Sequence, residues 1–133
     1  METSRKAGLL HWQWSSYSAA HRDRRNLVAH AATVPFFMTG TLGVVLSPAA
    51  GPWLAVLGAA AMLGAMAVQG RTHRLEGTPP PPFRGPGDAA LRILAEQWIT
   101  FPRFVLAGGF ARAWREAARS ADPDAGGGSR PRP

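Results

Sequence analysis

Between Asn26 and Gly70 the sequence has no Asp, Glu, Lys or Arg, and the segment SPAAGP at 47–52 cuts this charge-free block in two. Clustered Ser, Pro and Gly form a dense turn signal. The halves on either side, 27–46 and 53–69, would be about 30 Å and about 25 Å long as helices. Both approach the thickness of a bilayer core, the second at the short end. A helical hairpin buried in a soluble bundle is the competing architecture, since Ala and Gly supply much of the apolarity. The uninterrupted length, with arginines at both edges, favours membrane insertion. Small residues four apart, Thr39/Gly43 and Ala60/Gly64, predict close approach of the two helices.

Charge fixes the expected orientation. Arg22, Arg24 and Arg25 precede the block, Arg71 and Arg74 follow it, and the turn carries no charge. Both ends of the hairpin are therefore expected on the cytoplasmic side. The net charge of +7 comes almost wholly from arginine, Lys6 being the only lysine. Such a balance suits nucleic acid, an anionic membrane surface or acidic small molecules. The arginines flank apolar segments instead of forming one stripe, and no nucleic-acid motif accompanies them, so no nucleic-acid partner is expected. With no cysteine in the chain, disulfides, thiolate catalysis and iron–sulfur clusters are excluded. The first 25 residues lack the apolar core and cleavage site of a secretory signal.

The 133 residues suffice for one domain. Residues 1–8 are expected to be flexible, 9–120 to form a single helical membrane domain, and 121–133 (ADPDAGGGSRPRP) to be a disordered tail. Within the domain, 9–21 is helix-compatible, with Leu10, Trp14, Tyr17 and His21 spaced by four, three and four. RDRRN breaks that helix and offers Asp23 or Asn26 as an N-cap for the next. A proline-rich connector, 75–88, ends at Asp88, which can cap the helix beyond it. Residues 89–101 read as an amphipathic helix with Leu91, Leu94, Ala95 and Trp98 on one stripe and Arg92 and Glu96 off it. Residues 103–120 read as an interfacial or re-entrant helix with a basic end. The expected fold is thus all-α: a small membrane bundle built on the hairpin, with amphipathic helices at its flanks.

Such a hairpin gathers histidines. Two antiparallel rods of similar length return the chain to its starting level, which brings His30, early in the first, near His73, just past the second. His21 is held at that level by the short RDRRN link. His73 and Glu76 are three apart, on one side of a helical turn. Nine residues separate His21 from His30, out of phase on one continuous helix, so a shared metal requires the break between them. Asn26, four before His30, is placed to orient its ring or cap the helix. His11 has no partner in this scheme and reads as structural. Imidazole nitrogens and a carboxylate without sulfur form the ligand set of non-haem ferrous oxygenases, and zinc also accepts it.

The segment WQWSSYSAAHRDRRNLVAHAATVPFF carries the pattern W-x-x-Y-x-x-x-H-x-x-x-x-N-x-x-x-H-x-x-x-x-P, and in it the chain resembles the 2-hydroxy-palmitic acid dioxygenase family. The later LEGTPPPPF and EQWITFPRFVLAGGFARAW resemble the remainder of its shorter bacterial members, so the likeness spans 12–115. It implies a small multi-helix protein, in bacteria of the inner membrane, with an Fe(2+) centre. Its implied reaction converts a 2-hydroxy fatty acid with O₂ to an acid one carbon shorter. By position, His21, His30 and His73 match the family histidines and Glu76 the acidic residue after the last. Thr72 stands where the family commonly has glycine.

The expected function is therefore a membrane-embedded iron(II) dioxygenase of 2-hydroxy fatty acids. Its partners would be the lipid substrate, O₂ and the membrane. Arg25, Arg71 or Arg74 are candidates to hold the substrate carboxylate by charge-assisted hydrogen bonds. Phe36, Phe37 and Met38 are candidates to line its acyl tail. The competing expectations are a non-catalytic helical membrane scaffold and, behind it, a zinc hydrolase.

Overall fold

The computed structural model describes residues 8–121. The flexible ends expected at 1–8 and 121–133 lie, apart from Gly8 and Ala121, outside the described residues. Six α-helices are present among those described: α1 (Leu9–Tyr17), α2 (Arg24–Ala50), α3 (Trp53–Thr72), α4 (Pro86–Ala95), α5 (Phe101–Leu106) and α6 (Gly109–Ser120). A single turn of 3₁₀ helix follows α1 at Ser18–Ala20 and another follows α3 at His73–Leu75. A π-helical stretch, Glu96–Thr100, joins α4 to α5. There is no strand among the described residues, and the all-α expectation holds.

The hairpin is longer than 27–46 and 53–69. Asp23 starts α2 as its N-cap, accepting the Arg25 backbone N–H at 2.8 Å. Asp23→Ala is expected to cost about 1 kcal/mol of helix stability, read as a lower midpoint of thermal unfolding. At the far end α2 runs through Ser47 and Pro48. Pro48 has no N–H for the carbonyl of Val44, but the Ser47 hydroxyl donates to that oxygen at 2.8 Å, so the helix survives the proline. The reversal expected over 47–52 is confined to Gly51 and Pro52, with Gly51 at φ +118°, where a side chain would be strained.

The two rods meet most closely at Gly40, Gly43 and Gly58. A Cβ on Gly40 would lie 2.6 Å from the carbonyl oxygen of Gly58, and one on Gly43 would lie 3.2 Å from that of Leu54. Thr39, Ala60 and Gly64 from the expected contact pairs are exposed, and Gly64 faces open space. The i, i+4 rule found the right kind of residue but the wrong rotation about the axes; only Gly43 lies in the seam.

The hairpin divides along its length. Buried residues of α2 run from Asn26 to Gly40 and then stop. Beyond that level Val45, Leu46, Val56 and Leu57 are exposed. At the base the other helices pack round, on a core of Tyr17, Leu27, Val34, Phe101, Phe104 and Ala113. The Arg24 guanidinium stacks over Trp114, 3.9 Å from the ring centroid, and ties α6 to the start of α2. Phe37 points into the protein while Phe36 is exposed. The three-residue apolar surface expected at 36–38 is therefore split between faces. Two helical stretches, Arg24–Ala50 and Trp53–Leu75, are long and apolar enough to cross a membrane.

Of the apolar stripe read in 89–101, Ala95 and Trp98 are half-buried. Leu91 and Leu94 are exposed, whereas Arg92 is buried. Arg92 donates to the carbonyls of Pro81 and Pro82 at 2.9 and 3.1 Å, sits 3.6 Å from Asp88 and stacks against Trp12 and Phe83. An amphipathic pattern tells which residues share a face, but not which face is inside; in apolar surroundings the polar face is the one that needs protein partners. Asp88 does not cap α4: its carboxylate accepts the Arg84 backbone N–H at 3.0 Å from within the first turn.

Candidate metal centre

Three elements present the histidines. His21 ends the 3₁₀ turn after α1, His30 lies on α2 about two turns past the Asp23 cap, and His73 opens the turn that follows α3. Their ring centroids form a near-equilateral triangle with sides of 4.8, 5.1 and 4.9 Å, and the ring planes stand 78–84° apart. The fourth member is Glu96, not Glu76. Its Oε1 lies 3.6 Å from His21 Nε2 and 3.4 Å from His30 Nε2, and one ligand atom from each of the four residues falls within 4.8 Å of every other. Donors at about 2.0–2.2 Å from one ion stand roughly 3–4 Å apart, so a small inward movement completes a common sphere.

The outer hydrogen bonds fix how these rings face. His21 Nδ1 lies 2.9 Å from the Tyr17 carbonyl and His30 Nδ1 lies 3.0 Å from the Asn26 carbonyl. A carbonyl only accepts, so both Nδ1 atoms carry the proton in the neutral ring, and both Nε2 atoms present lone pairs. Those two Nε2 atoms, with Nδ1 of His73, are buried without a hydrogen-bond partner. Two imidazole lone pairs thus face a carboxylate beside a third buried imidazole nitrogen, an arrangement that calls for a positive charge, a metal ion or a proton, among them. Backbone carbonyls aligning ligand histidines are the usual outer support of a metal site. Asn26 supplies one of them, so it orients the His30 ring through its main chain.

Burial alone would raise the Glu96 carboxyl. Positive charge on the facing rings of His21 and His30 would outweigh it and lower the group; with both Nε2 atoms bare, a bound cation would do so in their place. Tyr17 stacks on His21 with centroids 3.9 Å apart, and its hydroxyl donates to Glu96 Oε1 at 3.2 Å. Burial, then the adjacent Glu96 charge, pushes that phenol well above its ordinary value, so it remains a donor at neutral pH.

Glu76 has a different task. Its carboxylate accepts the backbone N–H groups of Arg22 and Asp23 at 2.9–3.1 Å and the Asn26 amide at 2.7 Å. Asn26 is held from its other side by the Thr72 hydroxyl at 2.8 Å. Glu76 therefore shapes the break between α1 and α2 that lets His21 turn towards His30. Of the arginines proposed for a substrate carboxylate, Arg25 is exposed and paired with Asp23 at 3.1 Å, and Arg71 is exposed. Arg74 borders a cavity that also contains His73 and Glu96. His11 is exposed and outside the cluster.

The sequence held a signal for Glu96, but the α-helical period hid it. Pro102 has no N–H to continue the α pattern, and the helix widens just before it, so that the Phe101 N–H reaches back five residues to Glu96. The extra residue lets Glu96 and Gln97 both face inward. Gln97 then exchanges hydrogen bonds with Gln69 at 2.7 and 3.1 Å, which fixes the π stretch against α3 beside the histidines.

Comparison of the chain with protein-family models, with curated proteins and with solved structures finds no match.

Proposed function

We propose that this chain is a membrane-embedded non-haem iron(II) dioxygenase that shortens 2-hydroxy fatty acids by one carbon. The observation that carries the metal is the set of unpartnered imidazole nitrogens facing a carboxylate. The nitrogen and oxygen donor set, without sulfur, suits ferrous iron. The choice of reaction rests on the histidine–asparagine–histidine segment from His21 to His30.

Membrane embedding is supported by what the hairpin leaves uncovered. A core helix of a soluble protein is mostly buried, whereas only 28% and 17% of the most apolar windows of these two helices are buried. A bilayer accounts for that exposed, charge-free surface. The arginines cluster at the open end, which supports an orientation with both ends cytoplasmic.

In this reading His21, His30, His73 and Glu96 hold the ion. Tyr17 and the two backbone carbonyls keep the ligands aimed. Bound iron supplies a redox centre and a template for the substrate and O₂. The overall change, a 2-hydroxy acid and O₂ giving the shorter acid, CO₂ and water, balances without a further reductant. Anaerobic reconstitution of the full chain should give one iron per chain, and His21→Ala, His30→Ala and His73→Ala should each lose it. Consumption of 2-hydroxyhexadecanoate under O₂ should fall in parallel. A variant that keeps full iron removes its histidine from the site. Wild-type protein without iron leaves a helical scaffold as the reading.

A further inference from the structure

The geometry points to an acyl-chain passage along α3 that ends at the metal centre, with Gly70 keeping its lane open; this rests on the metal-centre reading. Met66, Gly70 and His73 stand at i, i+4 and i+7, a single stripe of α3 and the turn after it. A cavity of about 300 Å³ lies over that stripe, closed from the other side by Ile93 of α4 and Phe83 of the proline strap. His73 and Glu96 line its inner end, and exposed Arg74 stands at its polar rim.

The volume is at the small end for a ligand site, which suits one unbranched chain lying lengthwise. Exposed Leu63, nearly a turn beyond Met66, continues the apolar path outwards. The ligand is therefore an amphiphile with a single chain and an anionic, oxygen-donor head. Arg92 lines the same cavity, but its guanidinium is engaged by the Pro81 and Pro82 carbonyls, and Arg74 is the cation placed for the head.

Gly70 is the informative residue. Glycine inside a helix is less stable than alanine and needs a reason. At Gly40 and Gly58 the reason is a facing backbone; a Cβ on Gly70, as on Gly64, would meet nothing within 4 Å, and of these two only Gly70 lines the cavity. What the missing side chain preserves is the space itself, one turn from His73. A leucine there projects into the passage without pressing on the fold.

The test uses the full chain loaded with Co(2+) without O₂, so that the visible spectrum of the metal reports ligand arrival. It is titrated with 2-hydroxyhexadecanoate and with 2-hydroxybutanoate. In the wild type both acids shift the spectrum. In Gly70→Leu the four-carbon acid should titrate unchanged, while the sixteen-carbon acid should bind at least tenfold more weakly. Arg74→Gln should weaken both acids alike. A sixteen-carbon acid that titrates Gly70→Leu as it does the wild type overturns the passage, and an Arg74→Gln protein indistinguishable from wild type overturns the anchor. If wild-type protein retains no cobalt, or neither acid shifts its spectrum, the metal-centre reading falls and the passage with it.

Discussion

Glu96→Gln is expected to release the metal from a protein that stays folded, and Glu76→Gln to unfold a protein whose ligands are all intact. The two carboxylates are separated by what they face. Glu96 meets His21 and His30 nitrogens that carry no proton of their own to give, and its hydroxyl donor among the described residues is Tyr17. Glutamine keeps an oxygen for Tyr17 but removes the negative charge, so metal affinity should fall by at least about a hundredfold, the upper end of what outer-shell partners alone cost. Glu76 meets donors only: two backbone N–H groups and an amide, all at one buried carboxylate. Glutamine there offers one acceptor and turns its own N–H₂ towards them, leaving buried donors unpaired. The cost is about 2–4 kcal/mol, a fall on the order of 10–20 °C in Tm. Metal content and thermal unfolding, measured on both variants, separate the roles. If Glu76→Gln loses iron at an unchanged Tm while Glu96→Gln retains it, the two assignments are reversed.

That contrast also marks where sequence reasoning stops. The hairpin was legible because absence of charge over so long a run leaves few other folds, and the meeting of His30 and His73 results from chain return, with His21 added by the break at RDRRN. Asp23 as a cap was legible from residue type. Glu96 was not, because its placement depends on a π turn that shifts the helical phase at one point, and any fixed period averages over such a shift. Glu76 was singled out for its spacing from His73, yet spacing says which side of a turn a carboxylate occupies and nothing of the free N–H groups waiting there. The burial of Arg92 was not legible, because arginine is ordinarily exposed; here two aromatic rings and two proline carbonyls give it an interior. For Glu76 and Arg92 the missing information was a partner elsewhere in the chain, and for Glu96 it was a local change of helical phase.

Gly58→Ala should part the hairpin, and with it the metal centre, through the addition of one methyl group. A Cβ at position 58 would run into the carbonyl oxygen of Gly40 and lie 3.0 Å from the backbone nitrogen of Val44. These are backbone atoms inside a helix, so no side chain can swing aside, and the rods themselves must separate. Overpacking of this kind costs about 1–3 kcal/mol, more than the gain of up to about 1 kcal/mol from replacing glycine by alanine in a helix. Gly64→Ala is the control: nothing lies within 4 Å of its Cβ, so only the helical gain remains and Tm should rise. The strain at Gly58 does not stay local, because His30 and His73 ride on the two rods being pushed apart, roughly 15 and 22 Å from the crossing by helical rise. Iron affinity should therefore drop in Gly58→Ala although no ligand or ligand neighbour has changed, while Gly64→Ala binds iron as the wild type does. Equal stability and equal iron affinity in the two variants would mean that the rods do not cross at Gly40 and Gly58, and that the histidines are brought together by something other than the hairpin.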